Sequence, residues 1–169
     1  MEPSHLEMLR RQSGLALNRD GAFIYRGALV DNPRVQALFH QGLAVRPDGD
    51  VTLTVGAQWA YVACEGVALF VDGLEAESGA LVLRLRGRTP VRCSEPHIAF
   101  GPDDRVYVWS ARDSLPAILT RACHGRLVEQ IDAGSDDVPR LRLGEITLPV
   151  ASLLRAPGPA DGFDAMEVV

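Results

Sequence analysis

All 17 basic side chains of the chain are arginines, and their spacing is the most chemically suggestive feature of the sequence. Arg84 and Arg86 stand two positions apart, which places both on one face of an extended segment, and Arg88 and Arg92 follow closely. Like charges on one strand face repel unless something negative lies between them. An acid such as Glu95 or Asp104 is one neutraliser. A bound phosphate or carboxylate is another, held by charge-assisted bonds of about 1.5–3 kcal/mol each. The planar guanidinium suits bidentate contact with such anions. Two plainer readings stand beside this one: a solvated sheet face, and the coding bias of a GC-rich genome that favours arginine over lysine.

Other chemistry finds little support in the spacing. His40 and His124 occupy equivalent places in two expected helices, but no HxxxH, HxH or CxxC pattern supplies further ligands, so no metal site is expected. Cys123 and His124 are helix neighbours pointing about 100° apart, which rules out a nucleophile–base dyad. Cys64, Cys93 and Cys123 are an odd number and widely spaced, and read as small buried hydrophobes rather than disulfide partners. There is no glycine-rich phosphate loop, GxSxG or HExxH motif. The expectation is a non-enzymatic protein without a cofactor. Acids distant in sequence remain free to converge in three dimensions.

The totals narrow the field. A net charge of −5 argues against a broad nucleic-acid footprint. No apolar run approaches the roughly 20 residues of a membrane helix, and the start MEPSHLEMLRRQ lacks the pattern of a secretory signal. A cytoplasmic location is the default. At 169 residues, 47% hydrophobic and 23% charged, the chain suits one domain or two small ones.

The elements that would position these side chains follow from local pattern. Ser4 with Glu7 reads as a capping box, opening a helix over 4–13 that packs through Leu6, Leu9 and Met8. Asn18 to Gly21 makes the turn of a hairpin over 15–25. Asn32-Pro33 starts a helix buried through Val35, Leu38 and Phe39 and stopped at Gly42. Strands follow over 51–55, 59–64 and 67–71, with a turn at Asp72-Gly73. Further strands are expected at 81–85, 91–93, 97–100 and 106–109, with a closing hairpin over 141–150. Between them, Asp113 or Ser114 caps a long amphipathic helix through Leu115, Ile118, Leu119, Ala122, Cys123 and Leu127.

The order is α+β, in two similar small β-rich halves, each with one main helix. The polar stretch 75–79 marks a boundary, giving an N-terminal half over 1–76, a C-terminal half over 77–154 and a flexible tail over 155–169. That tail retains Phe163, Met166 and Val168 as docking residues. Laying 20–48 over 104–132 without gaps matches Asp20 with Asp104, His40 with His124, Leu43 with Leu127 and Asp48 with Asp132. It also sets Phe23-Ile24-Tyr25 on Tyr107-Val108-Trp109, so the class pattern supports a duplication more than the identities do.

Tyr107-Val108, Arg112, Leu115, Ala117, Ile118-Leu119, Arg121 and Leu127-Val128-Glu129 resemble the YV…R-x-x-L-x-A-[LI]-[LI]-x-R…LVE signature of the bacterial domain-of-unknown-function family 1285. Asp20-Gly21, Tyr25-Arg26-Gly27, Leu38-Phe39 and Asp48-Gly49 resemble further positions of that family, in order. The resemblance implies a duplicated α+β fold whose C-terminal half is a pleckstrin-homology-like barrel. It also implies a nucleotide-like ligand held between the halves and a role in signalling. The chain departs from the family at Val55-Gly56-Ala57-Gln58-Trp59, at Ala63-Cys64-Glu65-Gly66 and around Arg88-Thr89-Pro90.

Together these readings expect a binding or regulatory protein that holds a small anionic ligand at the junction of its halves. Arg26, Arg84, Arg86, Arg112 and Arg121 would donate, and Tyr25, Trp59 or Trp109 would form a stacking wall. The alternative is a protein-interaction module that offers a groove or sheet edge to a protein partner.

Overall fold

The computed structural model describes residues 4–169. A short helix α1 (His5–Arg11) is capped by Ser4, whose hydroxyl accepts from the Glu7 amide at 3.2 Å. The first sheet then takes β1 (Leu15–Leu17), β2 (Phe23–Tyr25), β3 (Ala28–Leu29), β4 (Leu43–Val45), β5 (Val51–Val55) and β6 (Gln58–Cys64). Helix α2 (Pro33–Gly42) bridges β3 and β4 and starts where expected, with the Asn32 side chain accepting from the amides of Arg34 and Val35. The second sheet takes β7 (Leu69–Glu77), β8 (Ala80–Leu85), β9 (Val91–Cys93), β10 (His97–Phe100), β11 (Val106–Trp109), β12 (Ala117–Leu119), β13 (Ile131–Asp132), β14 (Arg140–Leu143) and β15 (Ile146–Ser152). Helix α3 (Arg121–Val128) lies between β12 and β13.

Strand order exposes the duplication. The first sheet runs β3-β2-β1-β6-β5-β4, and the second contains β12-β11-β10-β15-β14-β13. In each, a central strand pairs antiparallel with its successor and parallel with the last strand, β1 with β2 and β6, β10 with β11 and β15. In each, the helix joins the strand at one edge of the unit to the strand at the other. The second unit differs by an extension, β7-β8-β9, that continues its sheet beyond β12. The protein is therefore α+β, with two similar β-rich halves each carrying one main helix.

Two apolar clusters hold the halves. Ile98, Val106, Val108, Ala117 and Leu119 face one cluster, which also takes Leu81 and Cys93 from one end of the sheet and Leu141 and Val150 from the other. For both ends to share a core, the nine-stranded sheet must curl, and Cys123 and Leu127 of α3 close it. The alternate residues Phe70, Ala99, Tyr107, Trp109 and Ile118 face the other way, onto Leu17, Phe23, Leu53 and Val62 of the first sheet. Strands β10 to β12 are thus buried on both faces, which is why they read as continuous apolar runs.

Several local expectations give way to this packing. The long helix expected from Asp113 or Ser114 begins only after Thr120, whose hydroxyl accepts from the Cys123 amide. Residues Ala117 to Leu119 are instead extended, because they pair with β11 on one side and β7 on the other. Asp72-Gly73 is no turn but an irregularity inside β7, where the register with β8 shifts. Residues 75–79 form the end of β7 and its hairpin turn, and the chain crosses between sheets at 65–68. On α2 the buried residue is His40, while Leu38 is exposed. On α1 none is buried, and Leu6, Met8 and Leu9 face solvent. Residues 155–169 pack against the body: Met166 is buried, Val168 bridges Leu153, and the Trp109 indole donates to Asp161 O at 2.9 Å.

Candidate functional site

The arginines singled out from the sequence do not converge. Arg84 pairs with Glu75 on the outer face of the β7–β8 hairpin. Arg86 makes a bidentate contact with Asp72, at 3.1 and 2.7 Å. Arg112 pairs with Asp164 of the C-terminal segment at 2.8 Å, and Arg121 with Asp20 at 3.0 Å. Arg26 lies at positive φ in the turn after β2, its guanidinium over the exposed Tyr25 ring. Trp59 is stacked beneath Arg10 and Arg46 near α1, and Trp109 is fully buried in the core. The repulsion between strand-face arginines is relieved by acids of the neighbouring strand, and the seam between the halves is filled with apolar side chains. Among the described residues, no wall of guanidinium groups faces a shared cavity.

One contact across the seam was invisible in the sequence. Arg105, at the start of β11, is buried and reaches Asp20 Oδ1 at 3.1 Å and Leu119 O at 2.9 Å, while its Nε has no partner among the described residues. Asp20 Oδ1 also accepts from Arg121. A carboxylate from the β1–β2 turn thus ties the first half to two guanidinium groups of the second. Nearby, the buried His40 imidazole holds Gly21 O at 2.8 Å from Nε2. Burial pushes its pKa below the ordinary 6.5, against the opposing pull of that bond, and the Arg86 and Arg88 charges add to the depression. His40 is therefore neutral at pH 7, and its Nε2–H is the donor.

A cleft of about 660 Å³ opens at the end of the curled sheet, where the β7–β9 extension meets the last turn of α2. Its walls are aliphatic: Leu69, Leu85, Val91 and Leu115 keep accessible surface, and Leu83, Val108 and Ala117 are buried in the core beneath. Its rim is polar, with Arg88 and Thr89 from the β8–β9 loop, Ser110 and Ser114 from the loop after β11, and Gln41 from α2. Gly87 lets that β8–β9 loop touch the helix. It sits at φ +70°, and a Cβ there would lie 2.7 Å from His40 Cβ and 2.9 Å from the Gln41 amide. The opposite wall is fixed from the C-terminal segment, since the Asp164 amide donates to Arg112 O and the two side chains form an ion pair.

Among the described residues, Arg88 is the one charged residue lining the cleft. Its guanidinium donates to Leu43 O, and it has no carboxylate partner among the described residues. The residue is exposed, and partial burial is the one cause that shifts its pKa, downward, with no acid beside it to oppose the shift. No signal along the chain marks Arg88 out: Arg86 also lies beyond β8, and the acids that pair with Arg84 and Arg86 stand 9 and 14 residues away. Among the described residues no group of three His, Cys, Asp or Glu side chains is placed to hold a metal ion, and no helix is long and apolar enough to cross a membrane.

No protein-family model matches the chain, and no curated protein does. Solved structures do. The crystal structure of a DUF1285 family protein from Silicibacter pomeroyi DSS-3 is similar at a TM-score of 0.59 and 20% identity, over 80% of this chain and 78% of that one. A DUF1285 family protein from Shewanella baltica OS155 is similar at a TM-score of 0.48 and 22% identity, over 69% of this chain and 91% of that one. The first of these likenesses shows that the fold is shared.

Proposed function

Starting from a fold shared with a DUF1285 family protein, we propose that this chain is a non-enzymatic binding protein that holds a small anionic molecule in the cleft between the β7–β9 extension and α2. One observation carries this reading: Arg88 lies on the rim of the cleft without a carboxylate, whereas Arg84, Arg86, Arg105, Arg112 and Arg121 all have one. The volume lies within the range of small-molecule sites, about 300–1,000 Å³. Because the cleft takes Gln41 from the first half and all its other lining residues from the second, occupancy would bias how α2 sits on the β8–β9 loop. That gives the protein a regulatory, signal-transducing role of the kind a ligand exerts by binding one arrangement better than another. A thermal-shift screen of nucleotides and carboxylates tests it. A bound anion should raise the melting temperature, Arg88→Gln should abolish the rise, and Arg84→Ala should leave it intact. A flat screen would remove the ground for the reading.

A second reading, a protein-interaction module, is favoured by the exposure of Leu6, Met8 and Leu9 on α1. It predicts that Leu6→Ser with Leu9→Ser abolishes association measured by light scattering or partner capture, with the melting temperature unchanged. A monomer that captures nothing in either form would sink it.

A further inference from the structure

Resting on that reading of the cleft as the binding site, we infer that its ligand is an amphiphilic monocarboxylic acid: one carboxylate on Arg88 and an aliphatic body against the inner walls. Charge decides the head group. The lining holds one guanidinium and no acid or second base, so one negative charge balances it. A phosphate monoester carries about −1.5 to −2 at neutral pH and would find only one positive charge on the lining to match it. A carboxylate matches the guanidinium fork in both charge and geometry.

The walls decide the body. Leu69, Leu85, Val91 and Leu115, the lining residues with accessible aliphatic surface, offer no aromatic face, so a nucleobase has nothing to stack on. Tyr25 and Trp59, the two rings of the expected stacking wall that are not sealed in the core, are absent from the lining. An aliphatic chain, by contrast, gains from each methylene removed from water, wherever it lies along the wall. Of the lining residues, Leu115 is 38% exposed and Leu85 half-buried. Both would be covered by the aliphatic body of the ligand. Thr89 and Ser110 add hydroxyl donors on the same rim as Arg88.

Isothermal titration with dodecanoate, dodecanol and AMP, each below its aggregation concentration, tests the assignment. Dodecanoate should bind, and dodecanol, which keeps the chain and loses the charge, should bind at least about tenfold more weakly. Arg88→Gln should weaken dodecanoate by a similar factor and leave dodecanol unchanged, and Arg88→Lys should recover part of the loss. Leu115→Ser, at a position 38% exposed, should weaken both chains. Equal binding of dodecanoate and dodecanol overturns the inference, because the acid is then not recognised. Binding of AMP in preference to dodecanoate, lost in Arg88→Gln, overturns it while leaving the cleft as an anion site. Binding of none of the three overturns both.

Discussion

The contact between Asp20 and Arg105 makes a quantitative prediction about how the two halves are joined. Arg105 is buried, with 9% of its side chain exposed, whereas Asp20 is 51% exposed and also held by Arg121. Removing Asp20 leaves a buried guanidinium without its counter-charge and with Nε already unpartnered. Breaking a fully buried pair in this way costs about 3–5 kcal/mol. Half of Asp20 is open to water, which places Asp20→Ala nearer about 2–3 kcal/mol. Arg105→Met removes the buried charge altogether. It leaves Asp20 with Arg121 and water, strips only Leu119 O of its donor, and should cost about 1–2 kcal/mol. Arg121 is 75% exposed, so Arg121→Ala should cost under about 0.5 kcal/mol. The decisive member is the double variant. With Arg105→Met in place there is no stranded charge for Asp20→Ala to expose, so the pair should cost little more than Arg105→Met alone. Urea denaturation at pH 7, followed by the fluorescence of the buried Trp109, measures all four. Additive costs in the double variant would refute the stranded-charge argument.

Three further outcomes follow from the geometry. The folded-state pKa of His40 is depressed, so the unfolded chain binds the extra proton; its contribution is fully present above pH 6.5 and is lost as pH falls below that value, and urea titrations should show stability dropping from pH 7 to pH 5.5 less steeply in His40→Gln. Gly87→Ala should destabilise by about 2 kcal/mol or more, from left-handed strain together with the collision with His40, whereas Gly79→Ala, at φ +78° with nothing within 4 Å, should cost only the strain of about 1 kcal/mol. Deleting 161–169 uncovers the Met166 site and removes the Trp109 acceptor, so it should lower stability by about 2 kcal/mol or more and shift Trp109 emission to the red; an unchanged spectrum would contradict the packing described.

The sequence alone determined whatever rests on neighbours along the chain. Ser4 and Asn32-Pro33 place two helix starts because a cap needs only an oxygen within reach of the next few amides. The alternation of Val106 and Val108 with Tyr107 and Trp109 gives a strand, and the match of 20–48 with 104–132 points to a duplication that the strand order bears out. Tertiary structure decided everything that depends on partners far away. The apolar run 115–119 suits a helix until β7 and β11 claim its amides and carbonyls from both sides, and a segment buried on both faces shows no period to betray it. The arginines look like a converging set until Arg84, Arg86, Arg112 and Arg121 each meet an acid and Arg26 lies over Tyr25. Asp164 lies 52 residues from Arg112, and Asp20 lies 85 and 101 residues from Arg105 and Arg121. That Arg88 lines the cleft without a carboxylate is settled only by where the acids fall, because charge neutralisation acts over a few ångströms of space and has no fixed distance along the chain.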